Sequence, residues 1–298
     1  MSDARTLGSL HRLESSLLDD QKWSDLHRDK KLEDGLTIVI PNWNHQLYLP
    51  RSIRSALEGL KRLEEGGFSG EIIIIDDGSR DGSQKLLRSI QMLYAESRLR
   101  TLFLPRNLGL PRVRNLGLEM SKYRYVCLMD ADNELIADNV PLFLQSIIET
   151  GAALVHGNLI DKQGEKVSQL LSGRVANLRL TDRNYIDAFA LVDATELLKL
   201  GGFMSDPRLY GYEDWEMLLH LIFEGRKVVF VPAAMGYYYR NPRSMLEETV
   251  QSEEKSRPSA AETASLVWRM FAQTGTREWD PMQVGYVYHP AVGYIDQC

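Results

Sequence analysis

The chain has 298 residues, 44% hydrophobic and 26% charged, with a formal net charge of −6. That is the composition of an ordinary globular protein with room for one large α/β domain, or one domain with appendages. The negative balance argues against a general nucleic-acid binder while leaving space for a local basic pocket.

Cys127 and Cys298 are the two cysteines, one in an apolar run and one at the last position, so no disulfide framework is expected and a reducing compartment fits. The opening MSDARTLGSL lacks the basic-then-apolar pattern of a signal peptide, and no apolar run approaches membrane-spanning length. The expected location is cytoplasmic.

Residues 1–35 are polar and charged, with Leu10, Leu13, Leu17 and Leu18 at helical spacing. This predicts an amphipathic helix laid on the main domain. A partner-binding or membrane-surface helix is the lesser reading, because acidic residues share its polar face. Leu36–Ile40 is a short, nearly all-apolar strand, as a strand buried on both faces should be, and it stops at Pro41-Asn42-Trp43-Asn44. Pro50 sits in the first turn of a helix that runs to about Leu63. Glu71–Ile75 is the second strand, closed by Asp76-Asp77-Gly78-Ser79. A helix over about Ser83–Glu96, a third strand over Leu99–Leu104 and a helix with Pro111 in its first turn follow. The fourth strand ends in Met129-Asp130-Ala131-Asp132-Asn133. Strands alternating with helices predict a parallel sheet wound with crossovers.

Beyond Asp132 the pattern loosens. Asn139–Glu149 reads as a helix, Ala152–Ile160 as a strand, and Lys162-Gln163-Gly164-Glu165 as a turn. Ala188–Val192 reads as a strand leading into a short helix ended by Gly201-Gly202-Phe203. Gly211-Tyr212-Glu213-Asp214-Trp215 opens another helix, and Lys227–Val231 is a further strand. A helix near Ala261–Phe271 and an aromatic-rich end, Val284–Tyr294, packing back on the domain complete the reading.

The chain has no G-x-x-x-x-G-K-[ST] loop, no G-x-G-x-x-G between strand and helix, and no Cys/His set at zinc spacing. It has instead polar or acidic residues after its first, second and fourth strands. Asp130 and Asp132 project from one side if strand geometry persists, at the sheet edge where such folds bind ligands. Two hard oxygen donors suit Mg²⁺ or Mn²⁺, which take one or two carboxylates plus substrate phosphates. Trp43 either stacks on a base or fills a strand–helix corner. Asp77 either accepts a hydrogen bond from a base or caps the next helix. Arg112 and Arg114 offer forked donors to phosphate. His156 and His220 read as packing histidines. Glu213-Asp214 is either a pair of reacting carboxylates or a charged helix start.

LTIVIPNWN, IIIIDDGSRDGS, RNLGLPRVRNLGLE, YVCLMDADN, GGF and GYEDWE occur in the order and at about the separations seen in family 2 of the glycosyltransferases. The chain resembles that family over about residues 36–245, which implies a GT-A fold: an α/β, mainly parallel twisted sheet flanked by helices. It implies an N-terminal extension over 1–35, a nucleotide-sugar-binding half over 36–133, an acceptor half over 134–245 and a C-terminal extension over 246–298. The expected donor site is Pro41, Trp43 and Asn44 in the first-strand motif, Asp77 on the base, and Arg112, Asp130, Ala131 and Asp132. Asp130 falls near the ribose and Asp132 on the metal, Mn²⁺ or Mg²⁺. Asp214 takes the catalytic-base position, with Glu213 and Trp215 toward the acceptor. Many relatives place a His after the last core strand. Here the segment reads Tyr239-Arg240-Asn241-Pro242-Arg243-Ser244, which leaves Arg240 and Arg243 to neutralise the diphosphate.

The implied reaction moves a sugar from a nucleotide-sugar donor, a UDP-sugar, to a saccharide or other hydroxyl acceptor by inverting single displacement. The expected partners are donor and acceptor, with no nucleic acid and no transmembrane segment, and with peripheral membrane association open. Two alternatives stand beside it: a nucleotidyltransferase, and a non-catalytic relative that binds a nucleotide sugar.

Overall fold

The computed structural model describes residues 32–94, 98–163, 166–171, 184–206, 209, 211–240, 286–289 and 293–295. The helices expected within 1–35 and 261–271, and Arg243, lie outside them. The described chain runs β1 (Glu33–Asn42), α1 (Leu49–Glu65), β2 (Gly70–Asp76), α2 (Ser83–Leu93), β3 (Leu99–Phe103), α3 (Leu110–Met120), β4 (Tyr123–Leu128) and β5 (Glu134–Leu135). A 3-10 turn (Ala137–Asn139) leads to α4 (Val140–Thr150), β6 (Leu154–Gln163), β7 (Lys166–Leu171), β8 (Leu191–Asp193) and α5 (Ala194–Lys199). Then come α6 (Glu213–Phe223), β9 (Val228–Tyr239), β10 (Tyr286–His289) and β11 (Gly293–Ile295).

The strands form one sheet in the order β11-β10-β9-β6-β8-β4-β1-β2-β3, with β5 added to β9 and β7 to β6. β1 pairs parallel with β2 and β4, β2 with β3, and β6 with β9. β8 runs antiparallel to both β4 and β6. The sheet is therefore parallel but for this reversal and the short additions β5, β7 and β11. β10 lies parallel to β9, with Tyr286 opposite Val229.

Apolar runs form the central strands because both faces are covered. Ile38, Ile40, Ile72 and Ile74 enter one core cluster, and Val39, Ile73 and Ile75 enter the other, as alternation across a strand requires. Each such side chain contributes about 1.5–3 kcal/mol relative to exposure. α1 buries Leu49, Ile53, Ala56, Leu60 and Leu63, a helical stripe laid on the first cluster. On the opposite face α3 comes so close to β1 that a Cβ at Gly117 would collide with the Val39 side chain.

One expectation is corrected, and two strands are added. The last long strand runs to Tyr239 rather than ending at Val231. Pro232 disguises it, and the β6–β9 register shifts beside that proline, between His156 and Asn158. The two-residue β5 and the six-residue β7 were not legible as strands.

Candidate active site

β1, β2 and β4 are parallel, so their carboxyl ends share one edge of the sheet. β8 enters from the opposite direction, with Leu191 beside Cys127, so the chain leading into β8 meets that same edge. Asp187 lies in this lead-in, and its carboxylate interacts with Asp214, Asp130 and Arg114. The reversal of β8 is what brings Asp187 to Asp130, and residue spacing alone carries no sign of it.

Arg114, on α3, is the hub. Its side chain is 6% exposed, and its Nη2 donates to Asp130 Oδ1 at 3.1 Å. Asp130, Asp214, Glu213 and Asp187 all hold its guanidinium in the charged form against the cost of burial. Phe203 closes over it, with the guanidinium carbon 5.4 Å from the ring centroid. Arg112, expected at the diphosphate, is half-buried on the same helix, and its Nε has no hydrogen-bond partner among the described residues. Of the two arginines, Arg114 meets the acids.

Asp214 and Glu213 open α6. Asp214 Oδ1 accepts from Asn184 Nδ2 at 3.2 Å and from the Trp215 N–H at 2.7 Å. Burial raises its pKa, with Arg114 opposing. Glu213 is buried, its Oε2 accepts from the Gly211 N–H at 3.0 Å, and burial raises its pKa too. Burial and the neighbouring acids push Asp187 up to about 7. Tyr238 on β9 faces Asp187, Asp130, Asp132 and Asp214, and burial raises its phenol. Asp132 is pushed to about 6 by burial and by Asp130, with His45 and Arg51 pulling it back.

Several expected site residues have other work. Pro41 is buried within β1 opposite Ile75, and Ala131 is 0% exposed in the first core cluster. Asn44, in the left-handed region at φ 59°, accepts the Arg80 N–H on its side-chain oxygen at 2.8 Å and braces the loop after β1. Trp215 is 1% exposed and packs in the second core cluster. Arg240 donates through Nε to the buried Asp161 at 2.8 Å. Trp43 is 52% exposed, so it is an open plate and not a core corner. Asp77 is buried, and its two oxygens accept the N–H groups of Leu108 (2.6 Å) and Gly109 (3.0 Å), fixing the entry to α3. The helix-start role falls to Asp81, which accepts from the Ser83 N–H at 2.8 Å.

α3 and the GGF loop are tied directly. Asn115 Nδ2 donates to the Phe203 carbonyl at 2.8 Å, and its Oδ1 accepts the Phe203 N–H at 2.7 Å. Gly202, at φ +74°, lies so close to the Asn115 amide that a Cβ there would collide with it.

Among the described residues no group of three or more His, Cys, Asp or Glu forms a complete cation site. Asp132, with Asp130 beside it and partly engaged by Arg114, fits an ion held by one or two carboxylates and completed by phosphate oxygens.

A family model described as Glycosyl transferase family 2 matches residues 37–213. The chain is 26% identical over 197 residues to an uncharacterized glycosyltransferase of Haemophilus influenzae, covering 65% of this chain and 74% of that one. It is 36% identical over 99 residues to a dolichyl-phosphate beta-glucosyltransferase of Dictyostelium discoideum, covering 33% of this chain and 30% of the relative. A chondroitin synthase of Escherichia coli is 34% identical over 127 residues, 42% of this chain and 17% of that one. The chain thus spans less than a third of the latter two.

Among solved structures, S. aureus TarS in complex with UDP-GlcNAc superposes with a TM-score of 0.60 at 16% identity, over 80% of this chain and 66% of that one. The mannosyltransferase PcManGT from Pyrobaculum calidifontis, in complex with GDP-Man and Mn2+, gives 0.55 at 13% identity, over 91% and 86%. These likenesses show the fold.

Proposed function

The chain belongs to glycosyl transferase family 2, and from that premise we propose that it moves a sugar from a UDP-sugar to an acceptor hydroxyl by inverting single displacement. The observation that carries this reading is the convergence of Asp130, Asp187, Glu213 and Asp214 on the buried Arg114. There the segment that carries the first four strands meets the segment that opens α6. The family match sets the nucleotidyltransferase alternative aside.

Asp214 is the proton acceptor. Burial makes its carboxylate more basic, Arg114 keeps it ionised, and Asn184 holds it in one orientation. Glu213 orients the acceptor. Trp43 stacks on the base, and Asp77 reads it while holding the turn before α3. Asp132, with Asp130, would hold Mn²⁺ or Mg²⁺, and that ion when bound counters the charge of the departing diphosphate.

The neighbours bound to UDP-GlcNAc and to GDP-Man with Mn2+ support a nucleotide-sugar ligand without choosing the base. The family segment 36–245 is the working unit, with 246–298 as an extension. We place the reaction in the cytoplasm on the cysteine usage; no helix among the described residues is long and apolar enough to cross a membrane.

Asp214→Asn tests the assignment. Asn keeps the shape and cannot take the proton, so transfer falls by about 10²–10⁴-fold while UDP affinity and melting temperature stay parental. Near-parental transfer would remove Asp214 from the reaction.

A further inference from the structure

The segment that follows β4 is strapped between α1 and the end of β9, and neither strap was legible in the sequence. Arg51, in the first turns of α1, donates Nη2 to the backbone carbonyl of Asp132. Its guanidinium carbon also lies 3.4 Å from the centroid of the Tyr239 ring, a stacked contact. One helical turn on, Ser55 Oγ accepts the Leu135 N–H at 3.0 Å. Tyr239 in turn holds the residues after Asp132: its N–H donates to Asn133 Oδ1 at 3.4 Å and its hydroxyl to Glu134 Oε2 at 2.6 Å. Asp132, Asn133, Glu134 and Leu135 are thus each gripped from α1 or β9.

An arginine suits this place for a physical reason. A planar guanidinium can lie flat on an aromatic face while its edge donates to a carbonyl in the same plane, which an ammonium on a flexible stem cannot do. Groups that orient a metal ligand without touching the metal commonly matter 10- to 100-fold in affinity.

We propose that Arg51, stacked on Tyr239 and bonded to the Asp132 carbonyl, is the positioning residue that fixes the Asp132 carboxylate for the metal and donor diphosphate. The inference rests on the donor-site reading above. It adds that α1 and β9 act through one shared contact, so Arg51 and Tyr239 are a single device rather than two independent supports.

The test is a double-mutant cycle on Arg51→Ala and Tyr239→Ala. The readouts are Mn²⁺ affinity in the presence of UDP, measured by the electron spin resonance of the ion, and UDP affinity by calorimetry with Mn²⁺ and with EDTA. Each single variant is expected to weaken Mn²⁺ binding by about 10- to 100-fold. The double variant should be no weaker than the poorer single one. In EDTA, UDP affinity should change far less. Arg51→Lys, which keeps the charge without the plane, should resemble Arg51→Ala. Tyr239→Phe, which keeps the ring and gives up the bond to Glu134, should lose much less than Tyr239→Ala; if Tyr239→Ala misfolds, Tyr239→Leu, which keeps bulk and removes the aromatic face, takes its place in the cycle.

Parental Mn²⁺ affinity in Arg51→Ala, or losses that simply add in the double variant, would overturn the clamp. A parent protein whose UDP binding ignores Mn²⁺ would overturn the metal reading itself, a separate and earlier result.

Discussion

Arg114 compensates more of the site than any other described side chain: Asp130, Asp214, Glu213 and Asp187 all act on its charge. Arg114→Met keeps much of its volume and leaves those acids facing one another. Breaking a buried ion pair costs about 3–5 kcal/mol, and because Asp130 is 32% exposed, solvent absorbs part of it, so about 2–3 kcal/mol is expected. Urea unfolding measures this, and an unchanged midpoint would mean that the acids are balanced elsewhere. Glu216 offers a second check. It is 1% exposed, with His220 Nδ1 at 3.9 Å, and burial pushes its carboxyl up to about 7. In the unfolded chain it titrates near 4.5. Between those values the folded state holds a proton that the unfolded state has lost, so stability falls as pH rises from about 4.5 to about 7 and then levels. Glu216→Gln should flatten that decline, gaining about 1–3 kcal/mol at pH 8 and little at pH 4.5. An identical pH profile in parent and variant would contradict it. At this scale Asp130, Asp132 and Asp214 were legible because carboxylates abruptly end an apolar run or open a helix. Asp187, Arg51 and the choice of Arg114 over Arg112 were not, since each depends on which chain segment lies across from it.

Elements were legible where both faces of a strand are apolar or a helix carries one stripe. β1, β2, β4, α1 and α6 all belong to that class. β9 was cut short because a strand containing Pro232 reads as a strand end, and only the register shift against β6 explains how it continues. The direction of β8 was equally hidden, as periodicity along a strand says nothing of its neighbour's polarity. The tie between α3 and the loop after α5 makes its own prediction. Asn115→Ala leaves the N–H and carbonyl of Phe203 unpaired in a buried setting. About 2–4 kcal/mol of stability should be lost. If the GGF loop serves the acceptor, the acceptor KM should rise more than the donor KM. Steady-state kinetics alongside thermal unfolding checks both, and equal KM changes would detach the loop from the acceptor.

Over the whole molecule, one mixed sheet carries Trp43, Asp77, Asp130 and the lead-in to β8 to a common edge, where α6 adds Glu213 and Asp214. The motif order was visible in the sequence because each motif sits at an element boundary; contacts across the fold such as Asn115 with Phe203 were not. If Asp132 holds the cation, calorimetry should show UDP binding tightened by Mn²⁺ in the parent and indifferent to it in Asp132→Ala; a variant that keeps the effect would move the cation elsewhere. The central claim, that this edge handles a sugar nucleotide as donor, is tested most directly by product analysis. The protein is incubated with a panel of UDP-sugars and Mn²⁺, without and with candidate saccharide acceptors, and the nucleotide products are resolved by chromatography. UDP should accumulate with free or transferred sugar, and Asp214→Asn should suppress transfer. Release of sugar 1-phosphate, the mark of uridylyl transfer, or no turnover of any sugar nucleotide by a protein that binds one, would contradict it.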